Sequence, residues 1–428
     1  MAQSVGSLLM ISLHGYVAGS PELGKPDTGG QVVFVLELAK RFARLGYKVD
    51  VMTRRFEDQP AEDIINDNLR IWRIPFGGPD FIRKEDMHDW YGDFITNALA
   101  AIRRRELRYD VVNSHYWDAG VCGQKIAEEL QIPHIHTPHS LGWWKKHDMH
   151  GATAEEMAGY RFDERIQKEF VLYRNCDHVI ATSEQQVDLI VAEYALPREH
   201  ITMIPPGIDE NRFTPATPDK VAAARARLNM GPSDVYVVGR AAENKGYDLI
   251  IQALPALKVL QPEARLVLAA GGNSEADFAL IDEWKAVAAE AGVADFIDWR
   301  GYVPDEELVD YYRAPGVFAL PSRYEPFGMT AVEAMACGTP TVTTIHGGLH
   351  EQVEFGRHAL VADPKRPEEF AAMINMPLQY PWLRDVLAVE GARFARRVFG
   401  WTGIARRTIA VFEQFRGRYD AYQADFQP

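Results

Sequence analysis

Residues 322–340 read SRYEPFGMTAVEAMACGTP, and their succession of loop and helix sets the architecture of the half of the chain around them. Just ahead, residues 317–320 (VFAL) form a short apolar run suited to a buried strand. Within the stretch, Ala331, Val332, Ala334, Met335 and Ala336 are strong helix formers apart from the valine. Two carboxylates carry the chemistry. Glu325 falls in the strand-to-helix loop, and Glu333 is expected about two turns into the helix, roughly 800° further round at ~100° per residue. Gly328 frees the backbone at the helix entrance, where unpaired N–H groups and the positive dipole end favour an anion such as phosphate. A phosphate with one acid beside it and a second acid deeper on the helix makes a cradle for a sugar nucleotide. The plainer alternative is a surface acid and a helix-dipole partner worth ~0.3–1 kcal/mol.

Outward from this stretch, short apolar segments alternate with helical ones along the whole chain. Strands are expected at 235–238, 265–269, 296–299, 317–320, 341–343 and 359–361 in the second half. The first half carries them at 8–13, 49–52, 69–74, 111–113, 132–136 and 179–182. Each half reads as a parallel sheet wound with helices on both faces. Between the halves, Ile204, Pro205, Pro206 and Gly207 make a stiff connector, prolonged by Pro215 and Pro218, where a hinge belongs. The expected fold is α/β, two doubly wound domains facing a central ligand cleft. Domain limits fall at 1–208 and 209–400, with a helical tail at 401–428 that returns to the first domain. Helical patterning itself begins near residue 382.

At 428 residues the chain exceeds what one core usually organises. A net charge of −14 argues against nucleic-acid and anionic-membrane partners, while leaving room for local basic pockets. Three scattered cysteines lack metal or redox spacing, and an odd number does not fit a disulfide framework. No secretory leader and no run of ~20 apolar residues is evident, so a cytoplasmic protein acting on small molecules is expected. Nothing in the residues sets the oligomeric state.

The second half carries a further motif, residues 238–247, VGRAAENKGY. Arg240 emerges at a strand end and Lys245 follows in a polar turn. Together they could neutralise a diphosphate, arginine as a fork and lysine as a point charge, or merely pair with surface acids such as Glu243. In the first half, a strand ends at His14 and Gly15. Thr28, Gly29, Gly30 and Gln31 then open a helix that runs to Gly46, either a second anion site or a simple tight turn. His139 follows a buried-looking strand, where a lone histidine is ordinarily structural; His115 and His136 are read that way. Trp143 and Trp144 could stack on a sugar or simply pack.

With these residues assembled, the chain resembles the retaining GT-B glycosyltransferases that include sucrose synthase and sucrose-phosphate synthase. Glu325, Pro326, Phe327, Gly328 and Glu333 match the family's paired-glutamate motif. Gly239, Arg240, Asn244, Lys245 and Gly246 match its basic turn, and Ile204–Gly207 with Asp209 its interdomain signature. The first half is similar to the sucrose-phosphate synthase branch through Asp27–Gln31, Thr53–Arg55, Pro75–Gly78 and His139–Gly142.

That resemblance implies that Arg240 and Lys245 hold the donor diphosphate with amides at Gly30 and around Met329 and Thr330. It implies that Glu333 bonds the ribose, and that Glu325 with the amides of Phe327 and Gly328 fixes the transferred sugar. His139 would reach that sugar's outer hydroxyl. Lys84, Lys145 and Arg165 would handle an acceptor phosphate, with Gln31 and Tyr116 facing the acceptor sugar; outside the family the two lysines read as ordinary solvated residues. The branch has paired arginines where this chain reads Asp163, Glu164, Arg165. The implied reaction transfers mannose from GDP-mannose to fructose 6-phosphate without cofactor or metal. Its alternatives are a UDP-glucose enzyme making sucrose 6-phosphate and a silent sugar-nucleotide sensor.

Overall fold

The computed structural model describes residues 5–19, 30–148, 158–272, 274–325 and 327–417. The chain separates into two compact units, one running to Pro206 and resuming at Ile404, the other spanning Gly207–Gly403. Among the described residues no helix is long and apolar enough to cross a membrane.

The first unit is built on eight strands, β1 (Gly6–Ile11), β2 (Tyr47–Arg55), β3 (Glu62–Asn66), β4 (Leu69–Pro75), β5 (Val111–His115), β6 (His134–Thr137), β7 (His178–Ala181) and β8 (Ile201–Met203). Their order is β3-β4-β2-β1-β5-β6-β7-β8. Every pair is parallel except the edge pair β3–β4, which corrects the all-parallel expectation. β3 escaped the sequence reading because its residues, EDIIN, lie at an exposed sheet edge and carry no apolar run. β8, three residues long, was likewise too short to register.

The helix Gly30–Arg44 buries Val32, Val35, Leu36, Ala39 and Phe42 against this sheet and ends with Arg41 and Arg44 in its last turn, where the dipole favours cations. Gly46, at φ +95°, then turns the chain toward β2. The C-terminal helix Trp401–Phe415 brings Phe412 against Phe42 and Phe415 against His178, with Tyr47 Oη donating to Glu413 at 2.9 Å. Gly400 separates it from the preceding helix Pro381–Phe399, so the tail is two helices rather than one.

The second unit holds β9 (Asp234–Arg240), β10 (Arg265–Gly271), β11 (Ile297–Trp299), β12 (Val317–Ala319), β13 (Thr341–Thr344) and β14 (Leu360–Ala362), in the order β11-β10-β9-β12-β13-β14. All are parallel. This is the doubly wound dinucleotide-fold order. Its strands are buried on both faces: Val235, Val237, Leu266, Leu268, Val317 and Val342 turn one way, Tyr236, Val267 and Phe318 the other. Each such side chain stabilises the fold by ~1.5–3 kcal/mol, which is why these strands read as apolar runs rather than alternating ones.

Candidate active site

In the second unit the strand order reverses at β9, whose neighbours are β10 on one side and β12 on the other. Loops leaving β9 and β12 therefore diverge and open a crevice at the carboxyl edge. Arg240 ends β9 with its side chain exposed. Lys245 closes a single 3-10 turn, and its Nζ donates to Glu325 Oε2 at 2.7 Å, an oxygen that also accepts from Ser322 Oγ at 3.1 Å.

The two loops are laced together through Asn244 of the basic turn and through Arg323 and Asp248, which carry no pattern in the sequence. Asn244 Nδ2 donates to Tyr324 O at 3.2 Å, and Arg323 N donates back to Asn244 O at 2.9 Å. The Arg323 guanidinium grips the Glu243 carbonyl and both carboxylate oxygens of Asp248. Gly246 is required where the loops meet: at φ +65° a Cβ there would lie 2.1 Å from Pro321 O.

The helix after β12 spans Met329–Ala336, entered through Gly328 at φ +99°. Glu333 is thus its fifth residue, about one turn in rather than two, because residues up to Gly328 belong to the loop. The N–H groups of Met329 and Thr330 have no intrahelical acceptor and are placed to meet an anion. Phe327 is buried and its ring packs edge-on to Phe399 at 5.2 Å, a structural role for the side chain. Glu333 is partly exposed, yet desolvation pushes its carboxyl up to about 7, the Tyr312 hydroxyl that donates to it at 2.6 Å pulling the other way. Pro326 lies outside the described residues.

In the first unit the order reverses between β1 and β5. His139, beyond the end of β6, adopts φ +60°, and Tyr116, beyond β5, adopts φ +75° and ψ 158°. For residues with a Cβ these conformations cost of order 1–3 kcal/mol each and characteristically gather at sites. His139 Nε2 lies 3.0 Å from His115 Nδ1, and His115 Nε2 lies 2.9 Å from Asn113 Oδ1. Asn113 donates through Nδ2 to Ile135 O, so its Oδ1 accepts. The proton of His115 therefore sits on Nε2, His139 donates from Nε2, and the Nδ1 of His139 keeps its lone pair. Burial pushes His139 down to about 3 and His115 well below its usual range, so both are neutral. His115, read as structural, is fully buried and touches His139 directly. His136 stays structural, its Nδ1 bonded to Ser114 Oγ at 2.8 Å inside the core.

Close by, His14 Nδ1 meets Asp118 Oδ2 at 2.7 Å, and its ring packs edge-on to Tyr116. Gln31, second in its helix, donates to Ser12 Oγ at 3.2 Å and to His115 O at 3.4 Å. Gly30 opens that helix, while Asp27, Thr28 and Gly29 lie outside the described residues.

Arg165 departs from the expectation of a phosphate-facing cation. It is buried, with Nε on Glu169 at 2.8 Å, one terminal nitrogen on Tyr116 Oη at 3.1 Å and the other on Ser140 O and Oγ at 2.9 and 3.1 Å. Burial disfavours its charge, and the Glu169 carboxylate more than restores it, holding the guanidinium above its ordinary range. Arg165 thus braces Tyr116 and the loop at Ser140. Lys84 is partly buried, with Glu85 at 3.1 Å, and Lys145 is exposed on the helix Gly142–Asp148. Trp143 stacks on His147 at 4.0 Å, a packing role.

Two first-half motifs turn out to be one device. Arg54 donates to the carbonyls of Phe76, Gly77, Gly78 and Asp80, so the basic strand end clamps the Pro75–Gly78 loop.

Two doubly wound units, one carrying cations, carboxylates and a helix entrance at its switch point, define the GT-B class of glycosyltransferase. A family model described as "Glycosyl transferases group 1" matches residues 221–391, and one described as "Glycosyltransferase Family 4" matches 28–212. Mannosylfructose-phosphate synthase from Agrobacterium fabrum is 49% identical over 95% of this chain and 91% of that protein. D-inositol 3-phosphate glycosyltransferase from Xylanimonas cellulosilytica is 32% identical over 96% and 97% of the two chains. Among solved structures, sucrose-phosphate synthase from Thermosynechococcus elongatus matches with TM-score 0.72 and 28% identity, over 96% of this chain and 98% of that one. The chain belongs to this glycosyltransferase family and is a hexosyltransferase.

Proposed function

We propose that this enzyme transfers mannose from GDP-mannose to fructose 6-phosphate with retention of configuration, forming mannosylfructose 6-phosphate. The observation that carries the reading is the 49% identity to mannosylfructose-phosphate synthase along 95% of the chain. In the second unit Arg240 and Lys245 take the donor diphosphate with the amides of Met329 and Thr330, Glu333 accepts from the ribose hydroxyls, and Glu325 with the Phe327 and Gly328 amides orients the sugar. In the first unit Gln31 and Tyr116 face the acceptor, Lys84 and Lys145 draw its phosphate, and His139 offers the Nδ1 lone pair to a sugar hydroxyl.

The bond from the anomeric carbon to the diphosphate breaks as a bond to the fructose anomeric oxygen forms on the same face. The acceptor's proton passes to a phosphate oxygen of the departing nucleotide. Fixed positive charge at the diphosphate supports that departure without a metal. Three free, buried cysteines suit a cytoplasmic setting.

Incubating the purified chain with fructose 6-phosphate and either GDP-mannose or UDP-glucose tests the assignment. Disaccharide phosphate formed from GDP-mannose alone is expected. Product from UDP-glucose alone would move the enzyme to sucrose 6-phosphate synthesis, and nucleotide binding without product from either donor would favour a sensor or a different acceptor.

A further inference from the structure

The second unit has a groove at the edge of its sheet opposite to Arg240 and Lys245. Pro232 precedes β9, Gly316 precedes β12 and Pro340 precedes β13, and these three residues line a cavity of about 860 Å³ walled by the helices Pro218–Leu228 and Pro381–Phe399. Since the strands are parallel, β9 alone puts about 20 Å between this edge and Arg240, at ~3.3 Å per residue.

Five arginines line the groove, Arg225, Arg313, Arg384, Arg393 and Arg396, against one acid, Asp385. In a chain of net charge −14 that is a marked local reversal. Three of these cations are held in part by neutral groups, which cancel no charge. Arg225 Nε donates to Ala314 O at 2.7 Å, Arg396 donates through two nitrogens to Glu210 O, and Arg313 donates to Thr214 O and Oγ1. Carboxylates approach three of the five: Asp310 lies 3.7 Å from Arg313, Asp385 lies 3.5 Å from Arg384, and Glu390 pairs closely with Arg393, so the cations remain in excess. Burial and the neighbouring charge of Arg384 both disfavour the charged form of Arg225, a stress that a bound anion relieves. Between the cations, Pro215, Val221 and Val389 supply apolar wall.

We infer that this groove is a second anion site, built to hold a phosphate-bearing small molecule with its phosphate on the arginine forks and its uncharged part against the proline and valine wall. The volume suits a sugar phosphate or mononucleotide, and the groove shares no residue with the donor contacts of the same unit.

Equilibrium dialysis of the full chain against labelled inorganic phosphate, fructose 6-phosphate and AMP tests it, using Arg384→Glu/Arg393→Glu and, separately, Arg240→Ala/Lys245→Ala. The expected result is a binding component that survives Arg240→Ala/Lys245→Ala and weakens by about tenfold or more in the Arg384→Glu/Arg393→Glu protein, as for losing charge-assisted hydrogen bonds. Basal transfer by the Arg384→Glu/Arg393→Glu protein stays unchanged, and Arg384→Lys/Arg393→Lys regains most of the binding. Preference among the three probes separates free phosphate from a phosphate ester as the source. Identical isotherms for the wild type and Arg384→Glu/Arg393→Glu with every probe overturn the inference; if that variant melts early, Arg384→Gln alone carries the same comparison.

Discussion

His115 Nδ1 accepts a hydrogen bond from His139 Nε2 across 3.0 Å, and the carbonyl of the Asn113 side chain decides that direction from the far side of the His115 ring. Phe34, edge-on to His139 at 4.8 Å, holds the ring in place. The consequence is a neutral imidazole with its lone pair on Nδ1. Replacing Asn113 by alanine frees His115 to move its proton to Nδ1, which sets two donors against each other. Asn113→Ala is expected to lower kcat at least about tenfold while leaving nucleotide affinity near wild type. Steady-state kinetics beside calorimetry of GDP binding separates the two; equal losses would contradict a positioning role.

The depressed pKa of His139, about 3, makes a further statement. Protonation of this imidazole is therefore expected not to shape activity between pH 5 and 8. A rate profile whose acid limb disappears in His139→Gln while other limbs stay would contradict the neutral assignment.

Glu333 is tuned the other way. Its carboxyl, pushed up to about 7, keeps a proton that the unfolded chain releases in the ordinary carboxylate range. Its contribution to stability therefore falls as pH climbs from that range to about 7, then levels off. In the proposed role of Glu333 the ribose hydroxyls need the carboxylate as acceptor, so nucleotide affinity should rise between pH 6 and 8 with a midpoint near 7. Glu333→Gln should flatten the dependence, as calorimetry at several pH values would register.

Lys245 and Glu325 meet at 2.7 Å, and in the proposed function they serve different halves of the donor. Lys245→Met should weaken nucleotide binding by about 10–100-fold, the worth of a charge-assisted contact. Glu325→Gln should impair transfer more than binding. Parallel losses of binding and turnover in Glu325→Gln would argue against a sugar-facing role.

Arg54 is a structural prediction. Its guanidinium is buried, bonded to four carbonyls and set beside the rings of Phe56 and Phe76. Arg54→Met leaves those carbonyls unmatched at a cost of about 3 kcal/mol. For a unit of this size that is a fall of about 6–12 °C in melting temperature, readable by calorimetry.

Much of this was legible in the residues. Apolar runs such as 235–238 and 265–269 marked strands because parallel strands covered on both faces leave no polar alternation. Glu325 and Lys245 could be singled out because a strand-to-helix loop needs few residue types to cradle an anion, and Gly246 through its match to the family's basic turn. Less visible were Arg323 and Asp248, whose pairing links loops far apart in sequence and carries no local pattern. Asn113 was hidden for a related reason. It sits in a fully buried strand where an amide looks like an exception to the apolar run rather than the orienter of a histidine.

The amino-acid order by itself determined the alternation of strands and helices, the glycine-permitted turns and the residue types available at each strand end, since these follow from local sterics and periodicity. Only the tertiary structure decided which way those residues face. It turned Arg165 inward onto Glu169, set β3 antiparallel at the edge, placed Glu333 one turn into its helix and gathered five arginines at the far edge of the second sheet. The physical reason is that burial, proton placement and charge clustering depend on neighbours distant in the chain, and strand order rather than spacing brings those neighbours together.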